Sequence, residues 1–225
     1  MRYVSHFSDG QPFSKPLGKI VCVGRNYAEH ARELDNPVPS APLLFIKPAT
    51  SAVSLAAHVT APFDRGDVHF ETELALLIGE TLSDAAPGAA AKAVVGVGLA
   101  LDLTLRDVQA RLKEKGHPWE IAKAFDGACP LSPFVKIDEV PDWNALTFSL
   151  DIDGERRQTG HGSDMLFAVP ALLAEMSQHF TLEPGDVVLT GTPAGVGPLP
   201  RSGELHFVLT LSGQPTFELI TRTAS

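Results

Sequence analysis

Cysteine is nearly absent from this chain of 225 residues: Cys22 and Cys129 are the only two, too far apart for a metal-binding or redox spacing. Their contexts, IVCVG and GACPL, are those of free buried thiols, which suits a reducing compartment. Long apolar runs are missing too. The longest, over 93–101, stops at Asp102, far short of a membrane span. Positive charge is scarce: a formal net charge of −9 leaves no concentrated Lys and Arg surface for nucleic acid or an anionic membrane. Small acidic substrates are not excluded, because a metal ion and a few cations can reverse the field inside a cleft. The opening MRYVSHFSDGQPF has neither the basic start nor the apolar core of a signal peptide, so a cytoplasmic protein is expected. No Gly-Lys-Ser/Thr phosphate loop and no dinucleotide fingerprint after a strand occur. A nucleophile elbow is also lacking, since Ser163 stands in GHGSD with Asp where the second Gly belongs.

What is present describes an ordinary globule, with 44% apolar and 20% charged residues and enough length for one sizeable core. A single α+β or mainly β domain is expected. KIVCVG (19–24) predicts a buried strand and NYAEHARELD (26–35) a helix capped by Asn26. NPVPSAP then breaks the helix and leads into an extended LLFIKP (43–48). Further helices are expected over 83–92 and over 105–115, the latter capped by Thr104 with Asp107 at the capping-box position. A buried strand lies between them at 93–104, and 116–133 reads as a long structured loop. ALTFSLDIDGERRQ (145–158) predicts a hairpin turning at Asp153-Gly154. Ser163 is placed as the cap of a helix running to 180 with Pro170 near its first turns, and the remainder as strands and turns.

The stretch HFETELALLIGE (69–80) poses a physical problem. In a strand over 67–78, Glu71 and Glu73 point to one face, about 7 Å apart, where they repel by about 2 kcal/mol at an effective dielectric near 20. Asp102, closing the apolar strand GVGLALD, offers a third carboxylate. If the three converge in a low dielectric, a divalent cation is the simplest remedy, and oxygen-only ligands suit magnesium, manganese or calcium rather than zinc. Spacing alone equally fits a solvated sheet face and a helix cap. His30 and Glu33, three apart on a helix, share a face, as a general base and its orienting carboxylate would, or as a surface ion pair would. Arg106, Gln109 and Lys123 add cations and an amide near Asp102, and Arg106, Gln109 and Lys113 form one line along their helix. LTGTPAGVG (189–197) could bring backbone N–H groups and the Thr192 hydroxyl to an anion, or be a turn between strands.

In this order and at these separations, VCVGRNYAEHARE, PLLFIKP, HFETELALLIG, GLALDLTLRDVQ, PWEIAKAFDGACPLSPF and PGDVVLTGTPAGVGPL closely resemble the fumarylacetoacetate hydrolase family. The branch resembled is the short one of acylpyruvate hydrolases, fumarylpyruvate hydrolases and oxaloacetate decarboxylases or tautomerases. The resemblance implies an α+β, mainly β fold: a mixed β-roll or β-sandwich with peripheral helices over 19–225, residues 1–18 packing on the core. It also implies a homodimer and a Mg2+ or Mn2+ site. Carried over by position, Glu71, Glu73 and Asp102 match the metal ligands, His30 and Glu33 the dyad on a mobile lid helix, and Lys123 the active-site lysine. Arg106 and Gln109 match substrate-reaching residues, Thr192 lies in the loop holding a substrate carboxylate, and Lys47 matches a pocket lysine. A second cationic anchor for a distal carboxylate would favour fumarylpyruvate or an unsaturated 2-oxo dioate, and the sequence leaves open whether Arg25 or Arg106 serves as that substrate-binding group.

Two departures stand out. The resemblance does not include the extra N-terminal domain of the larger members, and Phe70 stands where some relatives carry a second His. The expected activity is metal-dependent hydrolysis of the C–C bond of an acylpyruvate such as acetylpyruvate or fumarylpyruvate, with oxaloacetate decarboxylation as a companion. The alternatives are an oxaloacetate keto–enol tautomerase, a hydratase or isomerase of an unsaturated 2-oxo dioate, and a non-catalytic metal-binding sensor of 2-oxo acids.

Overall fold

The computed structural model describes residues 3–33, 37–138, 142–211 and 214–224. In chain order the first half holds β1 (Lys19–Gly24), α1 (Ala28–Glu33), β2 (Leu43–Pro48), β3 (Ala52–Ser54), β4 (Val59–Thr60), β5 (Val68–Phe70), β6 (Thr72–Ile78), α2 (Pro87–Lys92), β7 (Val94–Leu101), β8 (Thr104–Leu105) and α3 (Arg106–Glu114). The second half holds α4 (Glu120–Lys123), β9 (Cys129–Leu131), β10 (Val135–Lys136), β11 (Thr147–Ile152), β12 (Glu155–His161), α5 (Val169–His179), β13 (Val187–Leu189), β14 (Gly197–Pro198), β15 (Glu204–Leu211) and β16 (Gln214–Ala224). The fold is mainly β, of the mixed-sheet type with a few peripheral helices. Among the described residues no helix is long and apolar enough to cross a membrane.

The main sheet runs β2-β1-β13-β6-β7-β9-β3, with β10 also paired to β7. Its central strands are apolar on both faces because both are covered. Leu74, Leu76 and Ile78 of β6, with Val21 and Val23 of β1, enter one large core. Ala75 and Leu77 of β6, with Ile20 and Cys22 of β1, enter a second, smaller one. The large core is closed by α5 and by a five-stranded sheet, β12-β11-β15-β16-β4, whose alternate residues Phe148, Leu150, Phe207 and Leu209 point inward. The small core is lined by Tyr3, Phe7 and Phe13 of the N-terminal segment. By the same alternation Glu73 faces the side of Ala75 and Leu77, so an acid is aimed into the smaller layer.

The strand expected over 67–78 is two strands, broken at Glu71. β5 pairs with β8 and β14, whereas β6 pairs with β7 and β13. At this switch Thr72 N–H is satisfied by the Gln158 side chain at 2.9 Å rather than by a ladder partner. The helix expected over 83–92 begins only at Pro87: Asp84 is left-handed (φ 49°), and Asp84 N–H and Ala85 N–H bond the Ser177 carbonyl and hydroxyl. The expected loop 116–133 contains α4 and β9.

None of the three expected caps does that work. Thr104 lies in β8, and its hydroxyl donates to the Asp102 carbonyl and to Glu71. Asp107 accepts the N–H of Asp67 instead. Ser163 sits in a short turn before the helix that Pro170 opens. Asn26 donates to the carbonyls of Thr190 and Phe167 and accepts the Phe167 N–H, tying the start of α1 to two distant loops. The last two residues of the helix expected there, Leu34 and Asp35, lie outside the described residues. The hairpin turn does fall at Asp153-Gly154, both left-handed as a type I′ turn requires.

Candidate active site

Glu71, at the strand switch, Glu73, on β6, and Asp102, just beyond β7, each offer an oxygen, and these oxygens lie within 4.8 Å of one another. All three residues are buried. The backbone enforces the meeting, because Asp102 N–H donates to the Glu71 carbonyl at 2.8 Å, continuing the β6–β7 pairing past its end.

Cations answer two of the three carboxylates. Lys123, presented by the single turn of α4, places Nζ 2.8 Å from Glu71 Oε2 and 2.6 Å from Asp102 Oδ2. Lys47, on β2, approaches Asp102 Oδ1 to 2.7 Å and also donates to the carbonyls of Lys123 and Ala128. Arg106, at the start of α3, pairs with Glu71 and donates to Gln109 Oε1 at 2.9 Å. Among the described residues Glu73 has no ion-pair partner; one oxygen accepts the Gly191 N–H at 2.6 Å.

The electrostatics follow from this uneven pairing. Burial opposes ionisation of Glu71, but Lys123 and Arg106 outweigh it and hold the carboxyl well below its ordinary value. Burial drives Glu73 the other way, and the charges of Asp102 and Glu71 add to it, so its carboxyl is raised well above the ordinary value. Burial also works against charge on Lys123, yet Asp102 and Glu71 raise its pKa and keep it an ammonium. Three carboxylates with no sulfur or imidazole form a donor set for a hard divalent cation, and the buried, cation-free Glu73 is the place where such a charge is missing.

The glycine loop is held from both ends. Gly191 is left-handed (φ 93°), and an added Cβ would stand 2.7 Å from Cβ of Asn26, so only glycine brings this N–H to Glu73. The Thr192 hydroxyl donates to the Thr72 carbonyl at 2.9 Å and accepts from Gln158 Nε2 at 2.8 Å, so it serves the loop itself. Four residues beyond Gly191, Gly195 N–H donates to Glu33 Oε1 at 3.0 Å, and Glu33 Oε2 lies 3.2 Å from His30 Nδ1. His30 is buried and lines the same cleft as the carboxylates. Burial pushes its pKa down, against the pull of Glu71 and Glu33, so the ring is neutral at neutral pH.

All of the sequence-selected residues except Glu33 and Lys47 line one cleft: Arg25, His30, Glu71, Glu73, Asp102, Arg106, Gln109, Lys123 and Thr192. Glu33 and Lys47 touch it through His30 and Asp102. The structure adds Lys113, Phe45 and Trp119, which were given no role in the sequence. For Lys113 the signal was present, since it lies in line with Arg106 and Gln109 on α3. For the aromatics there was none, because Phe45 looks like core and Trp119 like loop.

A mixed sheet that delivers acids from a strand switch and a strand end, under a helix carrying a histidine–glutamate pair, is one architecture in particular. The chain belongs to the fumarylacetoacetate hydrolase family: the model of that family's C-terminal region matches residues 19–217. The relatives it matches are enzymes. It is 50% identical over 204 residues to the oxaloacetate tautomerase YcgM of Escherichia coli K12, covering 90% of this chain and 93% of that one. Its fold is similar to a fumarylacetoacetate isomerase/hydrolase structure from Oleispira antarctica, with a TM-score of 0.95, 50% identity, and 99% and 100% of the two chains covered. It is also similar to fumarylpyruvate hydrolase from Pseudomonas aeruginosa in complex with Mn2+ and pyruvate, with a TM-score of 0.88, 35% identity, and 99% and 96% covered.

Proposed function

We propose that this protein is an oxaloacetate keto–enol tautomerase, with Glu71, Glu73 and Asp102 as ligands of a Mg2+ or Mn2+ ion and His30 as the proton-transfer group. The observation that carries the reading is that the neutral His30 lines the same cleft as the three carboxylates, with Glu33 fixing its far nitrogen. The likeness to a named oxaloacetate tautomerase supports this activity ahead of the acylpyruvate hydrolysis expected from the sequence. A divalent cation held by the three acids would polarise the 2-oxo oxygen of the substrate and so acidify the protons on C3.

The chain's own groups then have definite work. Glu33 accepts the Nδ1 hydrogen, leaving the other ring nitrogen as the acceptor. His30 takes a proton from C3 of the keto form and, in the reverse direction, returns it to C3 of the enol. Lys123, kept charged by Asp102 and Glu71, donates a hydrogen bond to the oxygen on which negative charge develops; that oxygen takes a proton from solvent, and the imidazolium of His30 returns the proton taken from C3 to solvent, the reverse direction exchanging the two. The contacts Glu33–Gly195 and Glu73–Gly191 tie the base and the acids to one glycine loop.

Acylpyruvate hydrolysis is the second reading, supported by the likeness to fumarylpyruvate hydrolase. The two are separated by following enol absorbance of oxaloacetate with Mg2+ while assaying pyruvate release from oxaloacetate, acetylpyruvate and fumarylpyruvate. Rapid loss of the enol signal without matching pyruvate release is expected. Pyruvate release from an acylpyruvate that outpaces tautomerisation would replace this reading with the hydrolase, and metal-dependent release from oxaloacetate alone would make it a decarboxylase.

A further inference from the structure

Two cations in the cleft have no anion. Lys47, Lys123 and Arg106 are each paired with Asp102 or Glu71, three cations against the three buried carboxylates. Arg25 and Lys113 also line the cleft, and among the described residues neither makes an ion pair. They are therefore cleft cations that none of the three acids engages among the described residues.

Each is brought there by specific local geometry. Lys113 follows Arg106 by seven residues on α3, about two helical turns along the same face. Its Nζ stands 5.2 Å above the centre of the Trp119 ring. Arg25, just past β1, is held in the left-handed region (φ 62°), a strained conformation for a non-glycine residue that persists where the surroundings or the function demand it. Burial, then the neighbouring Arg106 and Arg25, push the Lys113 ammonium down to about 8, the signature of a crowded cation that an anion would relieve. Arg106 differs from them in that its two terminal nitrogens already serve Gln109 and Glu71, which leaves its Nε without a partner among the described residues.

We infer that Lys113 and Arg25 form a subsite for the second carboxylate of a 2-oxo dicarboxylate whose 2-oxo acid end lies at Glu71, Glu73 and Asp102. This deepens the proposed function and rests on it for the identity of the reacting end. The subsite makes the cleft selective for dianions over 2-oxo monocarboxylates of the same shape, since only a second carboxylate pairs the two half-buried cations.

Calorimetric binding with Mg2+ tests this using malate and 2-hydroxybutyrate, unreactive ligands that share a carboxylate–hydroxyl end and differ in the far carboxylate. The wild-type protein is expected to favour malate by about tenfold or more. K113Q should shrink that preference to within about threefold, chiefly by weakening malate, and K113R should retain most of it. R25Q gives an independent second readout of the same ratio. In turnover, K113Q should raise KM for oxaloacetate by a larger factor than it lowers kcat. The inference is overturned if the wild type shows no malate preference, if K113Q and R25Q both keep it, or if they weaken both ligands alike. The binding ratio is read without catalysis, so a wild-type protein that prefers malate but fails to tautomerise oxaloacetate would sink the proposed function and leave the subsite standing.

Discussion

Lys47 Nζ lies 2.7 Å from Asp102 Oδ1, with 0% and 1% of the two side chains exposed. A lysine on β2 and an aspartate beyond β7 thus close a fully desolvated pair across the sheet, and the remaining lysine donors go to the carbonyls of Lys123 and Ala128. Lys47 thereby also holds the backbone of the turn that presents Lys123.

Removing one partner of such a pair strands a charge where water cannot reach it. K47M is expected to destabilise the protein by about 3–5 kcal/mol, read as a lower urea midpoint with an unchanged slope. The double variant K47M/D102N should recover part of that loss. A K47M protein within about 1 kcal/mol of wild type would mean that the pair is not buried in solution.

Glu73 leads to a prediction of opposite sign. Its pKa is raised in the folded protein by burial and by Asp102 and Glu71, so without metal the native state binds the proton more tightly than the unfolded chain does. Its contribution to stability is therefore full below the ordinary glutamate value and is lost as pH rises through the folded-state value. In chelator at neutral to alkaline pH, E73Q should unfold at a higher temperature than wild type. Added Mg2+ should raise the Tm of wild type, more so at higher pH, and leave E73Q nearly unmoved. A metal-dependent Tm shift of equal size in both proteins would remove Glu73 from the ligand set.

The His30–Glu33 contact predicts a pH profile. Burial lowers the His30 pKa and Glu33 partly restores it, so kcat should fall on the acid side as the ring protonates below its ordinary value. Without the Glu33 charge the pKa drops further, so E33Q should move that acid limb to lower pH while reducing the plateau. H30A should lose about 10²-fold or more in kcat with little change in Mg2+ binding. An E33Q limb that stays in place would count against His30 as the titrating group.

Much of the architecture was legible because it follows from periodicity. The run IVCV, the alternation in ELALLI and the Asp153-Gly154 turn each have one physical solution, and each forms it. Capping was less legible. Asn26, Thr104 and Ser163 have the right chemistry for helix ends, but their donors and acceptors are claimed or left aside in favour of long-range partners that no local window contains. The break at Glu71 was hidden for the same reason, since the residues on both sides favour strand and only the change of pairing partner divides them.

By itself the sequence determined which residue types were available and their local direction: two glutamates on one face of a strand, an aspartate at the end of another, a histidine and glutamate one turn apart, and a row of polar residues along a helix. Tertiary structure alone decided which charges are answered. Arg106, Lys113, Lys123 and Arg25 are all cations near an acid in sequence, yet Arg106 meets Glu71, Lys123 meets Glu71 and Asp102, and Lys47 meets Asp102, while among the described residues Arg25 and Lys113 face the cleft without an ion pair and Glu73 has no cation. Pairing depends on distances of a few ångströms between strands far apart in the chain, and in a low-dielectric interior those distances let ion partners overturn burial at Glu71 and Lys123 while burial prevails at Glu73, His30 and Lys113.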